Sequence, residues 1–119
     1  MSKKWYGRTF GREKSRQTKP AQAGDVTITN GTVSVAECRK DGKTVCLDLT
    51  LTAVNAAASF TVIGTIPEEW APDHEVGAVP NGSQLCWVTV NDAGEIKIYA
   101  SPANASLVVR ASLTWMLTR

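Results

Sequence analysis

The chain has 119 residues, of which 43% are hydrophobic and 20% are charged, and a chain of this size buries one core without metal ions or disulfides. Its three cysteines lack the paired spacing of a disulfide framework or a zinc site, which predicts free thiols in a reducing cytosol. The chain has neither an apolar run of the roughly 18 residues that span a membrane nor the apolar core of a signal peptide.

Charge is unevenly distributed along the chain. Residues 1–20 contain seven basic residues and one acidic residue, a net charge of +6, whereas the remainder carries a net charge of −4. Residues 1–24 show neither a helical nor a strand period, so we predict an N-terminal arm that is extended when free. Residues 25–119 are predicted to form one β domain.

The first part of this domain reads as strands separated by turn residues. The alternating stretches 26–29 and 32–36 flank Asn30-Gly31, a strong hairpin signal, so we predict that these two strands pair with each other. A second turn, at Asp41-Gly42, leads into the longest alternation in the chain. The face of that strand predicted to be buried contains Val45, Leu47, Leu49, Leu51 and Ala53.

The second half continues the same pattern. Residues 60–66 and 74–79 are predicted strands, and residues 84–91 are apolar on both parities, which is typical of a strand buried on both faces. Asp92-Ala93-Gly94 predicts a tight hairpin into the alternating stretch 95–99.

The chain then closes with a long predicted strand over residues 107–117. Its predicted buried residues are Leu107, Val109, Ala111, Leu113 and Trp115. About eight short strands without a long amphipathic helix indicate an all-β fold, namely an antiparallel β-sandwich of the jelly-roll type. With residues 1–24 in front of it, the predicted organisation is an extended basic arm followed by the sandwich.

A double-proline segment separates two of these strands. Pro67 and Pro72 each fix φ and remove a backbone donor, so neither a helix nor a central strand passes through them. Trp70 lies between them, and we predict a structural corner whose indole either packs inside the subunit or contacts another one. The same two alternatives, sandwich core or subunit interface, apply to Trp87 and Trp115, and for these two residues we favour the core.

No catalytic constellation is recognisable. His74 is the only histidine, so any catalytic triad would need it, yet it lies in an acidic stretch without a recognisable nucleophile. The acidic residues around it lack the alternating ligand spacing of a calcium loop: Glu68, Glu69, Asp73 and Glu75. We therefore predict no catalytic residue, no metal site and no cofactor.

The arm interleaves basic and aromatic side chains. The residues that we expect to bind a partner are Trp5, Tyr6, Arg8, Phe10 and Arg12. In one interpretation the aromatic side chains fill pockets on a neighbouring subunit and the cations pair with its carboxylates. In the other the arm binds single-stranded nucleic acid, with cations on phosphates and rings on bases. The acidic body behind the arm favours docking.

Three segments resemble a pattern from tail-fibre and receptor-binding tip modules of tailed bacteriophages, in the same order. The segments are Gly64-Thr-Ile-Pro-Glu-Glu-Trp-Ala-Pro72, Val88-Thr-Val-Asn-Asp-Ala-Gly-Glu-Ile-Lys-Ile98 and Ser112-Leu-Thr-Trp115. The resemblance covers residues 44–117. This chain is much shorter than such proteins and has no fibrous shaft, collagen-like repeat or coiled coil.

The resemblance implies a function and partners. In that family, small β-sandwiches assemble as homotrimers at the ends of virion fibres or spikes, and many bind host-surface glycans. The implied protein is a non-enzymatic virion component, made in the host bacterial cytoplasm, that docks to other virion proteins by its arm. Its trimeric sandwich would face outward as a fibre tip, baseplate component or capsid decoration protein, with a host-surface glycan as candidate ligand. The alternative is a β-barrel that binds single-stranded nucleic acid through the arm.

Overall fold

The computed structural model describes residues 22–80 and 86–118. Over these residues the fold is a β-sandwich of two antiparallel sheets, one with the strand order β1-β3-β4-β9 and the other with the order β2-β5-β8-β7-β6. The strands are β1 (Gln22–Gly24), β2 (Thr27–Ile28), β3 (Thr32–Asp41), β4 (Thr44–Ala56), β5 (Thr61–Thr65), β6 (Val76–Ala78), β7 (Cys86–Val90), β8 (Glu95–Ala100) and β9 (Asn104–Met116). The predicted all-β sandwich is confirmed.

Helical structure in this part of the chain is limited to one 3₁₀ turn, Glu68–Trp70. A membrane-spanning helix is therefore not found between residues 22 and 80 or between residues 86 and 118.

The core lies between the two sheets and is built from alternate residues of each strand. In β4 and β9 the predicted inward faces are buried except at Ala53, and the two strands pair over most of their length, for example Leu47 with Leu113. The five-stranded sheet contributes the opposite layer: Ile63, Cys86, Val88, Val90, Ile96 and Ile98. Burial of each large aliphatic side chain contributes about 1.5–3 kcal/mol, so this double layer is the main source of stability.

Two of the predicted turns form hairpins. Asp41 pairs with Thr44 across the β3–β4 turn, where Gly42 has a φ of +62°. Gly94 has a φ of +81° in the β7–β8 hairpin. Both glycines occupy the left-handed region that other residues rarely adopt. The turns predicted at Asp41-Gly42 and at Asp92-Ala93-Gly94 are therefore confirmed.

The predicted pairing across Asn30-Gly31 is wrong. β2 pairs with β5, in one sheet, whereas β3 pairs with β4, in the other. Asn30 Nδ2 donates to the Asn55 carbonyl at 2.8 Å, and Asn55 N–H donates to Asn30 Oδ1 at 2.9 Å. Gly31 has a φ of +110°, and a Cβ there would lie 2.7 Å from Val54 Cγ2. Asn30 and Gly31 therefore lead the chain from one sheet to the other, held by the end of β4.

The predicted burial of Ala53 is also wrong. Ala53 is exposed with a φ of 56°, and Val54 takes the buried position instead. The register shifts between Leu51 and Val54, where β4 has one more residue than β9. An extra residue in one strand reverses the alternation beyond it.

The strand predicted over residues 84–91 is buried on one face only. Cys86, Val88 and Val90 point into the core, whereas Trp87 is 36% exposed on the outer face. Apolar residues on both parities suggested two covered faces, but none of the described segments covers the outer face at Trp87. The prediction of double-sided burial is therefore wrong, and so is the expected core position of Trp87, whereas Trp115 does lie in the core.

Candidate binding surfaces of the sandwich

Three aromatic side chains form a row across the outer face of the five-stranded sheet. Trp87 of β7 pairs directly with Tyr99 of β8, and their ring centroids are 5.4 Å apart with planes inclined at 60°. Phe60 immediately precedes β5, and its ring centroid lies 5.3 Å from that of Tyr99. We call Phe60, Tyr99 and Trp87 the aromatic row.

The aromatic row is open to solvent. Phe60 is 52% exposed, and the three rings line a shallow hollow of about 300 Å³. Among the described residues that line it, the side-chain polar atoms are the Trp87 indole N–H and the Tyr99 hydroxyl. Beside it on the same face, the register sets Val62 next to Lys97. An exposed group of aromatic side chains of this kind is typical of a contact surface for another molecule.

Sequence reasoning missed the aromatic row because its members belong to three separate segments. Their contact depends on the order β5-β8-β7 in the sheet and on the register of each pair. One signal was present: Tyr99 has the parity opposite to the buried Ile96 and Ile98. That parity predicts an outward ring, but not the neighbours it meets.

The outer face of the four-stranded sheet is polar at its centre, and Val108 and Met116 of β9 are exposed beside the polar residues. Arg39 Nη1 lies 2.8 Å from Glu37 Oε1, and Arg39 Nη2 lies 3.6 Å from Asp48 Oδ2. Asp48 also accepts a hydrogen bond from the Ser112 hydroxyl. The arginine, glutamate and aspartate side chains are between 38% and 57% exposed. Solvated ion pairs of this kind contribute little energy, so this surface reads as a water-facing side.

The double-proline segment forms a corner that packs within the subunit. Trp70 N–H donates to the Pro67 carbonyl at 3.0 Å, and the Trp70 carbonyl accepts from Trp115 Nε1 at 2.8 Å. Trp70 is half-buried against the core, and Pro72 is buried. A Cβ on Gly24 would lie 2.5 Å from Trp70 Cζ3, so the indole lies directly on β1. The three predicted corner residues are thus brought together at one end of the sandwich.

The acidic residues and His74 lie at the surface of the same end. His74 is exposed, and Asp73 accepts a hydrogen bond from the Thr118 hydroxyl. Within residues 22–80 and 86–118, no three histidine, cysteine, aspartate or glutamate side chains are grouped to hold a metal ion.

All three cysteines are free thiols. Burial, and to a smaller extent the neighbouring Cys46 thiol, raises the pKa of Cys38 to about 11. Burial also raises the pKa of Cys86. A raised pKa keeps these thiols protonated and weakly nucleophilic at neutral pH.

The predicted partner-binding residues of the arm lie outside the described residues: Trp5, Tyr6, Arg8, Phe10 and Arg12. Their role stays a prediction. No protein-family model matches the chain, and no curated protein sequence matches it.

Proposed function

We propose that the protein is a non-enzymatic structural component of a bacteriophage virion. Its N-terminal arm docks onto a neighbouring virion subunit, and its β-sandwich assembles as a homotrimer and faces outward. In the particle, the protein would be a fibre tip, a baseplate component or a capsid decoration protein.

The observation that supports this proposal best is the mutual contact of the three segments that carry the family resemblance. Ile66 N–H, in the corner segment, donates to the Gly94 carbonyl of the hairpin segment at 2.9 Å. The indole N–H of Trp115, in the final segment, donates to the Trp70 carbonyl of the corner at 2.8 Å. Motifs that are separated in sequence but bonded in space behave as one structural unit.

The two outer faces of the sandwich suit a protein that is exposed on the outside of a particle. The described residues form a sandwich with a polar outer face on one sheet and the aromatic row on the other. Carbohydrates and protein partners both bind exposed aromatic side chains, so the aromatic row suits either a host-surface glycan or a second subunit. The solvated face on the other sheet suits the side of the module that stays in water.

The competing function is binding of single-stranded nucleic acid by the arm. The residues beyond position 20 carry a net charge of −4, which opposes a polyanion close to the body. A salt titration with a fluorescent oligonucleotide distinguishes the two functions. Affinity that falls steeply with salt and disappears on substitution of the arm's cations would support the competing function.

The direct test uses particles assembled with the full chain or with an arm variant. We expect the triple variant Trp5→Ser, Tyr6→Ser, Phe10→Ser to fold normally, by circular dichroism, and to be absent from purified particles. The matched control replaces polar residues of the same arm: Thr9→Ser, Ser15→Ala and Thr18→Ser. Normal incorporation of the aromatic-free variant would refute arm docking, and a monomeric native mass for the unaltered chain would refute the trimer.

A further inference from the structure

We propose that the aromatic row of one copy is the docking surface for residues 5–12 of a neighbouring copy of this chain. The inference rests on the proposed function, because it requires that the arm docks, and it adds the identity of the surface that receives it. Each arm would then link two subunits of the trimer.

The chemistry of the aromatic row favours a peptide with rings and guanidinium groups. Among residues 22–80 and 86–118, the hollow is lined by Phe60, Trp87 and Tyr99, and these three side chains offer aromatic faces and few hydrogen-bonding groups. A carbohydrate site needs several convergent polar groups besides its aromatic platform. Aromatic faces attract other rings and cations, arginine in particular.

The arm carries these groups in a suitable pattern. Tyr6, Arg8, Phe10 and Arg12 alternate with Gly7, Thr9 and Gly11. In an extended segment the first set shares one face, with a spacing of about 6.6–6.8 Å between successive side chains. The ring centroids of the aromatic row follow one another at 5.3 Å and 5.4 Å. The row therefore spans no more than about 11 Å, so it accommodates two successive side chains of that face at a time, and the small residues on the back face leave room for close approach.

Charge favours the same pairing and restricts its orientation. Residues 1–20 carry a net charge of +6, and the rest of the chain carries −4, so arm and body of different copies attract each other. Lys97 is the cation nearest to the aromatic row on its own strand, two residues from Tyr99. Like charges repel, so the arm's arginine side chains are expected on the side of the row away from Lys97.

The position of the arm's root allows the arm to reach a neighbouring copy. Gln22 pairs with Lys40 beside the β3–β4 turn, and Gly24 lies against Trp70, so the arm starts at the corner end of the sandwich. Phe60 lies at the opposite end of β5, on the other sheet. From Arg12 to Gln22 an extended chain of ten residues reaches about 33–36 Å, which allows residues 5–12 to contact another subunit. A contact between two different surfaces closes into a ring when the rotation fits, as in a trimer.

Photo-crosslinking of the full-length protein tests this placement directly. We expect p-benzoylphenylalanine in place of Phe60 to produce covalent multimers whose cross-linked peptides contain residues 5–12 of a second copy. The matched control carries the same photoreactive residue in place of Met116, which is 67% exposed on the other sheet. That control is expected to give no cross-link to residues 5–12. A cross-link between position 60 and the arm of the same copy, or none to the arm, would overturn the inference.

Variants of the unlabelled protein separate this inference from the proposed function. We expect Phe60→Ser to raise the dissociation constant of the oligomer about tenfold or more, as loss of an interface aromatic side chain does, and Met116→Ser to leave it unchanged. Circular dichroism confirms that both variants are folded. Dissociation by Tyr6→Ser with Phe10→Ser, but not by Phe60→Ser, would overturn the inference and leave arm docking intact. Normal oligomerisation of that arm variant would overturn the inference, and only its normal incorporation into particles would overturn arm docking as well. A saccharide bound at Phe60 in the assembled protein would overturn the inference alone.

Discussion

The two ends of the sandwich use the same residue type in opposite ways. At the corner end, Trp115 is 6% exposed, and its N–H is bonded to the Trp70 carbonyl within the subunit. At the far end, Trp87 is 36% exposed, and its ring packs against that of Tyr99 in the aromatic row. Indole side chains at the first end hold the fold together, whereas at the second they remain available to another molecule. Substitution of a tryptophan should therefore lower the free energy of unfolding strongly at the corner end and weakly at the far end.

The largest effect is expected from loss of the corner indole. Trp115→Ala removes a buried aromatic side chain and its hydrogen bond, which should lower the free energy of unfolding by about 3–5 kcal/mol. Trp87→Ala is the control, with an expected loss of about 0.5–1.5 kcal/mol from the broken ring contact. Urea unfolding monitored by circular dichroism measures both. Equal losses would contradict the contrast between the two ends.

A change at the contact between β1 and the corner should lower the free energy of unfolding nearly as much. A Cβ on Gly24 would lie 2.5 Å and 2.8 Å from ring atoms of Trp70, so Gly24→Ala forces the indole or the strand to move. Overpacking of this kind costs about 1–3 kcal/mol. Gly77→Ala is the control, because a Cβ on Gly77 would lie 3.3 Å from its nearest neighbour, Thr89 Cγ2. A larger loss for Gly77→Ala than for Gly24→Ala in thermal unfolding would show that β1 does not pack as described.

The crossing between the sheets depends on one side chain. Asn30→Ala removes both hydrogen bonds to the backbone of Asn55 and should cost about 1–2 kcal/mol. Asn55→Ala keeps its backbone groups and is expected to have a much smaller effect. Denaturant unfolding of the two variants gives the comparison, and similar losses would rule out Asn30 as the residue that holds the crossing.

Alkaline pH should weaken the fold through a buried thiol. Because Cys38 has its pKa raised from 9.0 to about 11, the unfolded chain loses this proton before the folded one does. Stability is thus expected to fall as the pH rises from about 9 towards 11, and to be unaffected by this group below that window. Cys38→Ala should show a shallower fall over the same range. An identical slope in the variant would argue against the protonated thiol as the cause.

The smallest effect is expected on the polar outer face. Arg39→Ala removes exposed ion pairs with Glu37 and Asp48, and such pairs contribute about 0–1 kcal/mol. The difference from the unaltered protein should shrink further in high salt, because salt screens exposed charges. Chemical unfolding at two salt concentrations checks this. A loss above 2 kcal/mol would mean that this face is less solvated than its exposure indicates.

Much of the fold could be predicted because the relevant signals are local. The alternation that buries Leu47 and Leu113 arises from the two-residue period of a strand. The turns at Gly42 and Gly94 require a conformation that glycine adopts most easily. The double-proline corner follows from the fixed φ of proline. Each of these features depends on a few neighbouring residues.

The remaining features depend on contacts between distant parts of the chain. Asn30-Gly31 has the sequence of a hairpin, but bonds to Asn55 turn it into a crossing between sheets. Which of Ala53 and Val54 is buried depends on a bulge in β4, opposite β9. Trp87 is exposed because the sheet has an uncovered outer face, which no local pattern encodes.

The sequence by itself determined that this protein is an all-β sandwich, most of the buried residues of its long strands and the turns at Gly42 and Gly94. Only the tertiary structure decided which strands are neighbours and that Phe60, Tyr99 and Trp87 meet on an open face. The physical reason is that strand periodicity and turn conformation are set by adjacent residues, whereas pairing and exposure are set by which distant segments pack together.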